Sequence, residues 1–180
     1  MNVIKGKKTI LRPAIVEDRR TIFEWGHESD IASFIYPPDG ETKTLKDFCD
    51  DWKEHYFTGL STELGRMFVI LYENSPIGTV AYNEIDSKNR VELDIWMSCE
   101  AYCGKGLGPD AIITLCSYLT ARFEVRTFMM QPSAQNPRAI RAYEKAGFVQ
   151  VPSTPEQIRA EWGAVDSEDS VLMLLKVPMK

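Results

Sequence analysis

The residue pattern predicts an α+β protein. It calls for a mixed sheet of six to seven strands, antiparallel in its N-terminal half with a central parallel pair, flanked by helices. Three observations carry this. Two apolar runs, residues 67–72 and 77–83, flank Glu73-Asn74-Ser75-Pro76, a hairpin turn by composition. Strand-like runs at 90–97 and 126–131 are separated by a glycine-rich loop and a helical stripe, an order that makes the two strands parallel. Apolar residues recur at helical spacing in further segments. With 180 residues and no repeat or linker, residues 1–180 are expected to form one domain.

Taken in order, residues 7–12 form a first strand that Pro13 ends. A helix over about 15–25 places Ile15, Ile22 and Trp25 on one stripe, and Pro37-Pro38-Asp39-Gly40 is a turn. A second helix, about 45–57, has Leu45, Phe48, Trp52 and Tyr56 on its apolar face. Asp47, Asp50, Asp51 and Glu54 lie mostly opposite, as a solvated face. The hairpin, the strand at 90–97 and the glycine loop come next. The helix after the loop runs to about residue 121, with Ile112, Leu115, Cys116 and Leu119 on its stripe. Asn136-Pro137 opens another helix and Gly147 closes it, giving residues 137–146. Residues 148–151 and 171–177 are the last strands. Between them, Thr154-Pro155-Glu156-Gln157 is a capping box before a short helix that ends near Gly163.

A net charge of −5 argues against a nucleic-acid partner, which wants a basic face, and slightly favours a cationic substrate. No apolar run approaches the roughly 18 residues of a membrane span, and the first residues lack a signal peptide's apolar core. Cys49, Cys99, Cys103 and Cys116 lack metal-site or redox spacing, so free thiols in a cytoplasmic protein and no metal are expected. His27 and His55 sit among polar neighbours and read as surface residues.

The most informative stretch is Cys103-Gly104-Lys105-Gly106-Leu107-Gly108-Pro109. Glycines admit a ligand close to the backbone, and proline suits the start of a helix. Free N–H groups at that helix's N-terminus make a cradle for a diphosphate. A Walker A loop fails because Gly106 follows Lys105 where Ser or Thr is required. A dinucleotide fingerprint over residues 106–111 lacks an acid on the next strand, which ends in Gln131-Pro132. A glycine turn without a ligand remains as an alternative. In the strand at 90–97, Val91, Leu93, Ile95 and Met97 face one side and Glu92, Asp94 and Trp96 the other. Either a wet face or a partly closed pocket fits that alternation. Tyr143 at helical spacing from Ile140 is by pattern a core aromatic, and Asn136 a cap.

Residues 103–108 resemble motif A of the GCN5-related N-acetyltransferase (GNAT) superfamily, Arg/Gln-x-x-Gly-x-Gly/Ala. Gly106 and Gly108 match the small positions, and Cys103 departs from Arg or Gln. Residues 136–148, from Asn136 through Ala139 and Tyr143 to Gly147-Phe148, resemble the superfamily's second signature, Asn-x-x-Ala-x-x-x-Tyr-x-x-x-Gly-Phe. The resemblance spans most of residues 11–148. It implies the GNAT (acyl-CoA N-acyltransferase) fold, acetyl-CoA as co-substrate, and direct acetyl transfer to a primary amine in a ternary complex.

It also implies roles for residues. Cys103, Gly104, Lys105, Gly106, Leu107 and Gly108 would hold the pyrophosphate, and the backbone of Ile95, Trp96 and Met97 the pantetheine arm and thioester oxygen. Asn136 would contact the coenzyme, and Tyr143 would protonate the departing thiolate; Arg138 and Arg141 read either as contacts to the coenzyme phosphates or as a solvated helix face. Asp94 occupies the general-base position of bacterial aminoglycoside acetyltransferases, with Glu92 as second choice. Trp25-Gly26, the acidic second helix and residues 136–148 resemble the aminoglycoside group, which binds a polycation through carboxylates and implies a small cationic acceptor. The acidic 153–169 insert (Glu156, Glu161, Asp166, Glu168, Asp169) suits such an acceptor, with a solvated loop as the alternative. Leu11-Arg12-Pro13 is shared with ribosomal-protein alanine acetyltransferases, an alternative. A non-catalytic coenzyme A sensor or scaffold is a third reading. No membrane or nucleic-acid partner is expected, and the chain would be a monomer or homodimer.

Overall fold

The computed structural model describes residues 3–35, 44–163 and 168–178. Its strands are β1 (Ile4–Lys5), β2 (Ile10–Pro13), β3 (Arg66–Tyr72), β4 (Ser75–Tyr82), β5 (Arg90–Met97), β6 (Thr127–Met130), β7 (Val149–Gln150) and β8 (Met173–Lys176). They form one sheet in the order β1-β2-β3-β4-β5-β6-β8-β7, with β5–β6 the parallel pair and every other pair antiparallel. The helices are α1 (Asp18–Glu28), α2 (Ala32–Ile35), α3 (Leu45–Asp51), α4 (Leu107–Phe123), α5 (Pro137–Lys145) and α6 (Pro155–Trp162). None of the described helices is long and apolar enough to cross a membrane.

Period-two alternation builds a core on each face of the sheet. Phe68 and Ile70 join Ile112, Leu115 and Leu119 of α4 in the larger cluster. Met67 and Val69 point the other way, to Ile22, Phe48, Phe57 and Trp96 beneath α1 and α3.

Eight strands stand where six to seven were expected, because Ile4–Lys5 adds a strand ahead of the expected one, which itself starts only at Ile10. The Gly6 amide bonds Thr9 O at 2.8 Å, closing a turn, and the Lys7 and Lys8 amides go to the Asp110 carboxylate instead of a sheet ladder. The first helix starts at Asp18, not near residue 15, since the Asp18 carboxylate takes the Ile15 amide at 2.8 Å and both Arg12 Nη atoms at 2.9 Å. The helix expected over 45–57 breaks after Asp51. Arg19 Nη2 binds the Trp52 carbonyl at 2.9 Å, and the chain resumes as a 3-10 turn, Glu54–Tyr56. The hairpin turn is tighter than predicted: Glu73 and Asn74 both have positive φ, and β4 already starts at Ser75. The capping box on α6 and the cap on α5 are present. The Pro37–Gly40 turn lies outside the described residues.

One topological feature positions the site. β5 and β6 pair over only three positions, Arg90↔Thr127, Val91↔Phe128 and Glu92↔Met129, and β5 then runs on to Met97 paired with β4 alone. The Asn83 amide bonds Glu92 O, and the Ser98 amide bonds Ile77 O. Backbone groups alternate along a strand, so those of Leu93, Ile95 and Met97 face the gap on the β6 side.

Candidate active site

The gap opens into a cleft of about 840 Å³ that the glycine loop, β5, the 3-10 turn and α5 share as walls. α4 begins at Leu107, two residues before Pro109, with Gly106 as its N-cap. Proline costs nothing there because the amides of a helix's first turn have no intrahelical acceptor. Gly104 and Gly106 have φ of 73° and 77°, the left-handed region that favours glycine. Among the described residues, the amides of Gly104, Lys105, Gly106, Leu107 and Gly108 find no backbone carbonyl outside the helix. Gly108 is informative for another reason. A Cβ there would meet only Ile95 Cδ1 at 3.8 Å, an ordinary contact, so the protein's own packing does not demand glycine.

The loop is held from behind by Asp110, whose carboxylate accepts from the amides of Lys7, Lys8 and Thr9 and from Thr9 Oγ1, at 2.8–3.2 Å. Burial alone would raise the pKa of Asp110, but the hydrogen bonds from Lys8, Thr9 and Lys7 outweigh it and hold the group below its usual value. Lys8 Nζ then bonds Lys105 O at 3.1 Å, tying the same turn to the loop.

Of the residues singled out from sequence, Asp94, Ile95, Trp96, Met97, Cys103, Gly104, Gly106, Gly108, Asn136, Arg138, Arg141 and Tyr143 all line this one cleft. Three do not. Leu107 is in the larger core at 2% exposure, and Lys105 extends over the Tyr102 ring at 6.0 Å, so each offers the cleft at most its backbone. Glu92 lies off the cleft wall, where its Oε1 accepts from Gln131 Nε2 at 2.8 Å. Trp96 is 7% exposed and packs against Trp52 at 6.0 Å, so the Asp94 face of β5 is a pocket wall rather than a wet surface.

Tyr143 is half-buried, with its ring 6.5 Å from Phe148. Asn136 caps α5 through its side chain, which accepts from the Ala139 amide at 3.1 Å. Arg138 Nη1 reaches Glu100 at 2.9 Å, linking α5 to the turn that leads into the glycine loop. The Cys103 thiol is pushed up in pKa, first by burial and then by nearby acids, against the opposing effect of Arg138, so it stays protonated near neutral pH.

Several lining residues had not been singled out as site residues: Asp51, Trp52, Tyr56, Asn83 and Gln131. Tyr56 OH donates to Asn83 Oδ1 at 3.1 Å, and Asn83 Nδ2 donates to Asp94 Oδ2 at 3.2 Å. Burial, then the charges of Asp94, Glu84 and Glu92, pushes the Tyr56 pKa up to about 12. The cleft is therefore polarised. Asp51 and Asp94 sit with aromatic rings at one side, and Arg138, Arg141 and Lys145 stand on α5.

Among the described residues, the acidic insert does not line the cleft. Glu161 pairs with Arg90 and Lys88, Glu168 with Arg159, and Asp169 accepts from Ser133 Oγ. Asp166 lies outside the described residues. His27 binds the Phe23 carbonyl and His55 the Leu64 carbonyl, both away from the cleft.

The family model described as an acetyltransferase (GNAT) domain matches residues 8–149. The chain belongs to the GNAT acetyltransferase family. Its relatives include an aminoglycoside N(6')-acetyltransferase type 1 of Klebsiella pneumoniae, 28% identical over 149 residues, 77% of this chain and 72% of that protein. The ribosomal-protein-serine acetyltransferase of Escherichia coli K12 is 27% identical over 85 residues, about half of each chain (47%). Among solved structures, AAC(6')-Ib with coenzyme A and kanamycin superposes with a TM-score of 0.73 at 23% identity, covering 93% of this chain and 94% of that one. Spermidine N-acetyltransferase from Vibrio cholerae, with CoA and spermine, gives 0.70 at 19% identity, covering 95% and 96%. These structural likenesses establish the GNAT fold for this chain.

Proposed function

We propose that this GNAT protein moves the acetyl group of acetyl-CoA to a primary amine of a small cationic molecule, with an aminoglycoside as the acceptor class. The observation that carries the reading is the convergence of unpaired loop amides, an open β5 edge, a carboxylate and a phenol on one cleft. Gly108 supports it, since glycine is unneeded there unless something approaches its backbone.

The residues fit the co-substrate as follows. The amides of residues 104–108, at the positive end of α4, hold its diphosphate, with Arg138 and Arg141 adding charge. The exposed edge at Leu93, Ile95 and Met97 takes the pantetheine arm as an added strand and gives an N–H to the thioester oxygen as that oxygen gains charge. An alkylammonium of pKa about 10 arrives protonated. Asp94 takes a proton from it, and the freed amine attacks the thioester carbon. The C–S bond breaks, Tyr143 gives its phenolic proton to the thiolate, and solvent restores the phenol. The nitrogen sheds its second proton to water, leaving amide and free coenzyme thiol. Asp51, Asp94 and the neighbouring rings suit a polycation; the 28% identical relative is named for aminoglycosides.

The test is thiol release from acetyl-CoA with kanamycin, spermine and N-terminal peptides as acceptors. Turnover confined to kanamycin-like amines supports the proposal. Turnover of peptides alone supports a protein N-terminal acetyltransferase, and coenzyme binding without any turnover supports a sensor or scaffold.

A further inference from the structure

We infer that Asn83 and Tyr56 are positioning residues that fix the orientation of Asp94 and favour its ionised state. This deepens the proposed function and rests on Asp94 acting as the base.

The geometry dictates the polarity of the chain. An ionised carboxylate can only accept, so the group that Asn83 turns to Asp94 Oδ2 is its amide nitrogen. The carbonyl end of the same amide must then face Tyr56, and the phenol must donate to it. Each group has one consistent role: hydroxyl to carbonyl, amide to carboxylate.

The anchor of this relay is rigid. The Tyr56 ring sits on the 3-10 turn, edge-on to Trp52 at 5.0 Å, and it also abuts Gly65, where a Cβ would come within 2.7 Å of Tyr56 Cε1. Gly65 has a φ of 111°, so both backbone and space reserve this position for glycine. Asn83 is fixed from the other direction, because its backbone amide bonds Glu92 O at 3.0 Å next to the end of β4. The relay thus connects two separate elements, the 3-10 turn and the end of β4, to one oxygen of Asp94. A donor bonded to the charged form of an acid lowers its pKa, and a fixed donor also fixes which way the acid points.

Other charged groups surround the relay: Glu92 on β5 and Glu84 beyond β4 act on the Tyr56 phenol, and Asp51 at the end of α3 and Arg138, Arg141 and Lys145 on α5 line the cleft. The three acids oppose ionisation of Asp94 and the cations favour it. A neutral relay adds a contribution that can be removed without altering any of these charges.

The experiment is the pH profile of kcat with one amine acceptor throughout, so that the acceptor's own ionisation is common to all arms. Asn83→Leu should move the acidic limb up by about one pH unit and lower kcat several-fold at neutral pH, with acetyl-CoA affinity unchanged. Asn83→Asp, which sets a second carboxylate against Asp94, should move it further, and Tyr56→Phe should move it less in the same direction. In an Asp94→Asn background, Asn83→Leu should change kcat less than about twofold. An acidic limb that stays at the wild-type pH in variants with cooperative melting overturns the inference, as does an equal loss in both backgrounds. If Asn83→Leu does not fold, Tyr56→Phe decides. Wild-type turnover by Asp94→Asn would instead overturn the base assignment beneath it.

Discussion

Replacing Asp110 with Asn tests whether the turn between β1 and β2 sets the glycine loop. The carboxylate holds four donors, and the Thr9 pair is the costly one to lose because Thr9 is 1% exposed. A hydrogen bond to a charged group contributes about 1.5–3 kcal/mol, and a buried amide left short of an acceptor costs about 1–3 kcal/mol. Asparagine keeps one acceptor oxygen, so about 3 kcal/mol is the expected loss at pH 7. In a chain of this size that lowers Tm by about 6–12 °C.

The pH dependence carries the sharper test. Asp110's folded pKa lies below its unfolded value of about 3.9, so its stabilisation is complete above about pH 5. It is lost as pH falls through the folded value, where a protonated Asp110 resembles Asn. Thermal denaturation of both proteins from pH 7 down to about 2.5 should show the Tm gap closing on the acid side. A gap of constant size, or none at pH 7, refutes the reasoning.

Two further substitutions probe the cleft. Tyr143→Phe should cut kcat by roughly ten to a few hundred fold while acetyl-CoA affinity stays near wild type, since only the proton donor is removed. Unchanged kcat in stopped assays would assign thiolate protonation elsewhere. Gly106→Ala forces a side chain into φ 77° and 3.3 Å from Lys8 Nζ, and should weaken acetyl-CoA binding by about tenfold or more in calorimetry. Gly59→Ala carries similar strain at φ 67° away from the cleft and should leave binding unchanged; equal effects would show general destabilisation only.

Much of this arrangement was legible in the chain because it depends on local chemistry. The α5 and α6 caps, the strand alternation at 90–97 and the glycine loop are patterns of near neighbours, and the family likeness gave Asp94 and Tyr143 their place. What escaped was set by contacts between distant segments. The strand expected from residue 7 starts only at Ile10 because Asp110, a hundred residues on, takes the amides of Lys7 and Lys8. The 45–57 helix broke where Arg19 captured the Trp52 carbonyl. That break carries Tyr56 to Asn83, and no local pattern marks either residue. The strand register would have helped: Ala81 pairs with Asp94, which leaves Asn83 beside Glu92 and within reach of Asp94 on the same face. The acidic insert misled for the same reason, as Glu161 pairs with the distant Arg90 and Lys88 and Asp169 with Ser133, outside the cleft; only Glu168 finds a near neighbour, Arg159.

The central claim is that the amides at the mouth of α4 hold the coenzyme's diphosphate. The most direct measurement is the amide ¹H,¹⁵N spectrum of the 20.5 kDa protein titrated with coenzyme A. Gly104, Lys105, Gly106, Leu107 and Gly108 should show the largest downfield shifts, saturating together. If those five resonances stay in place at saturating coenzyme, the phosphates bind elsewhere and the account is wrong.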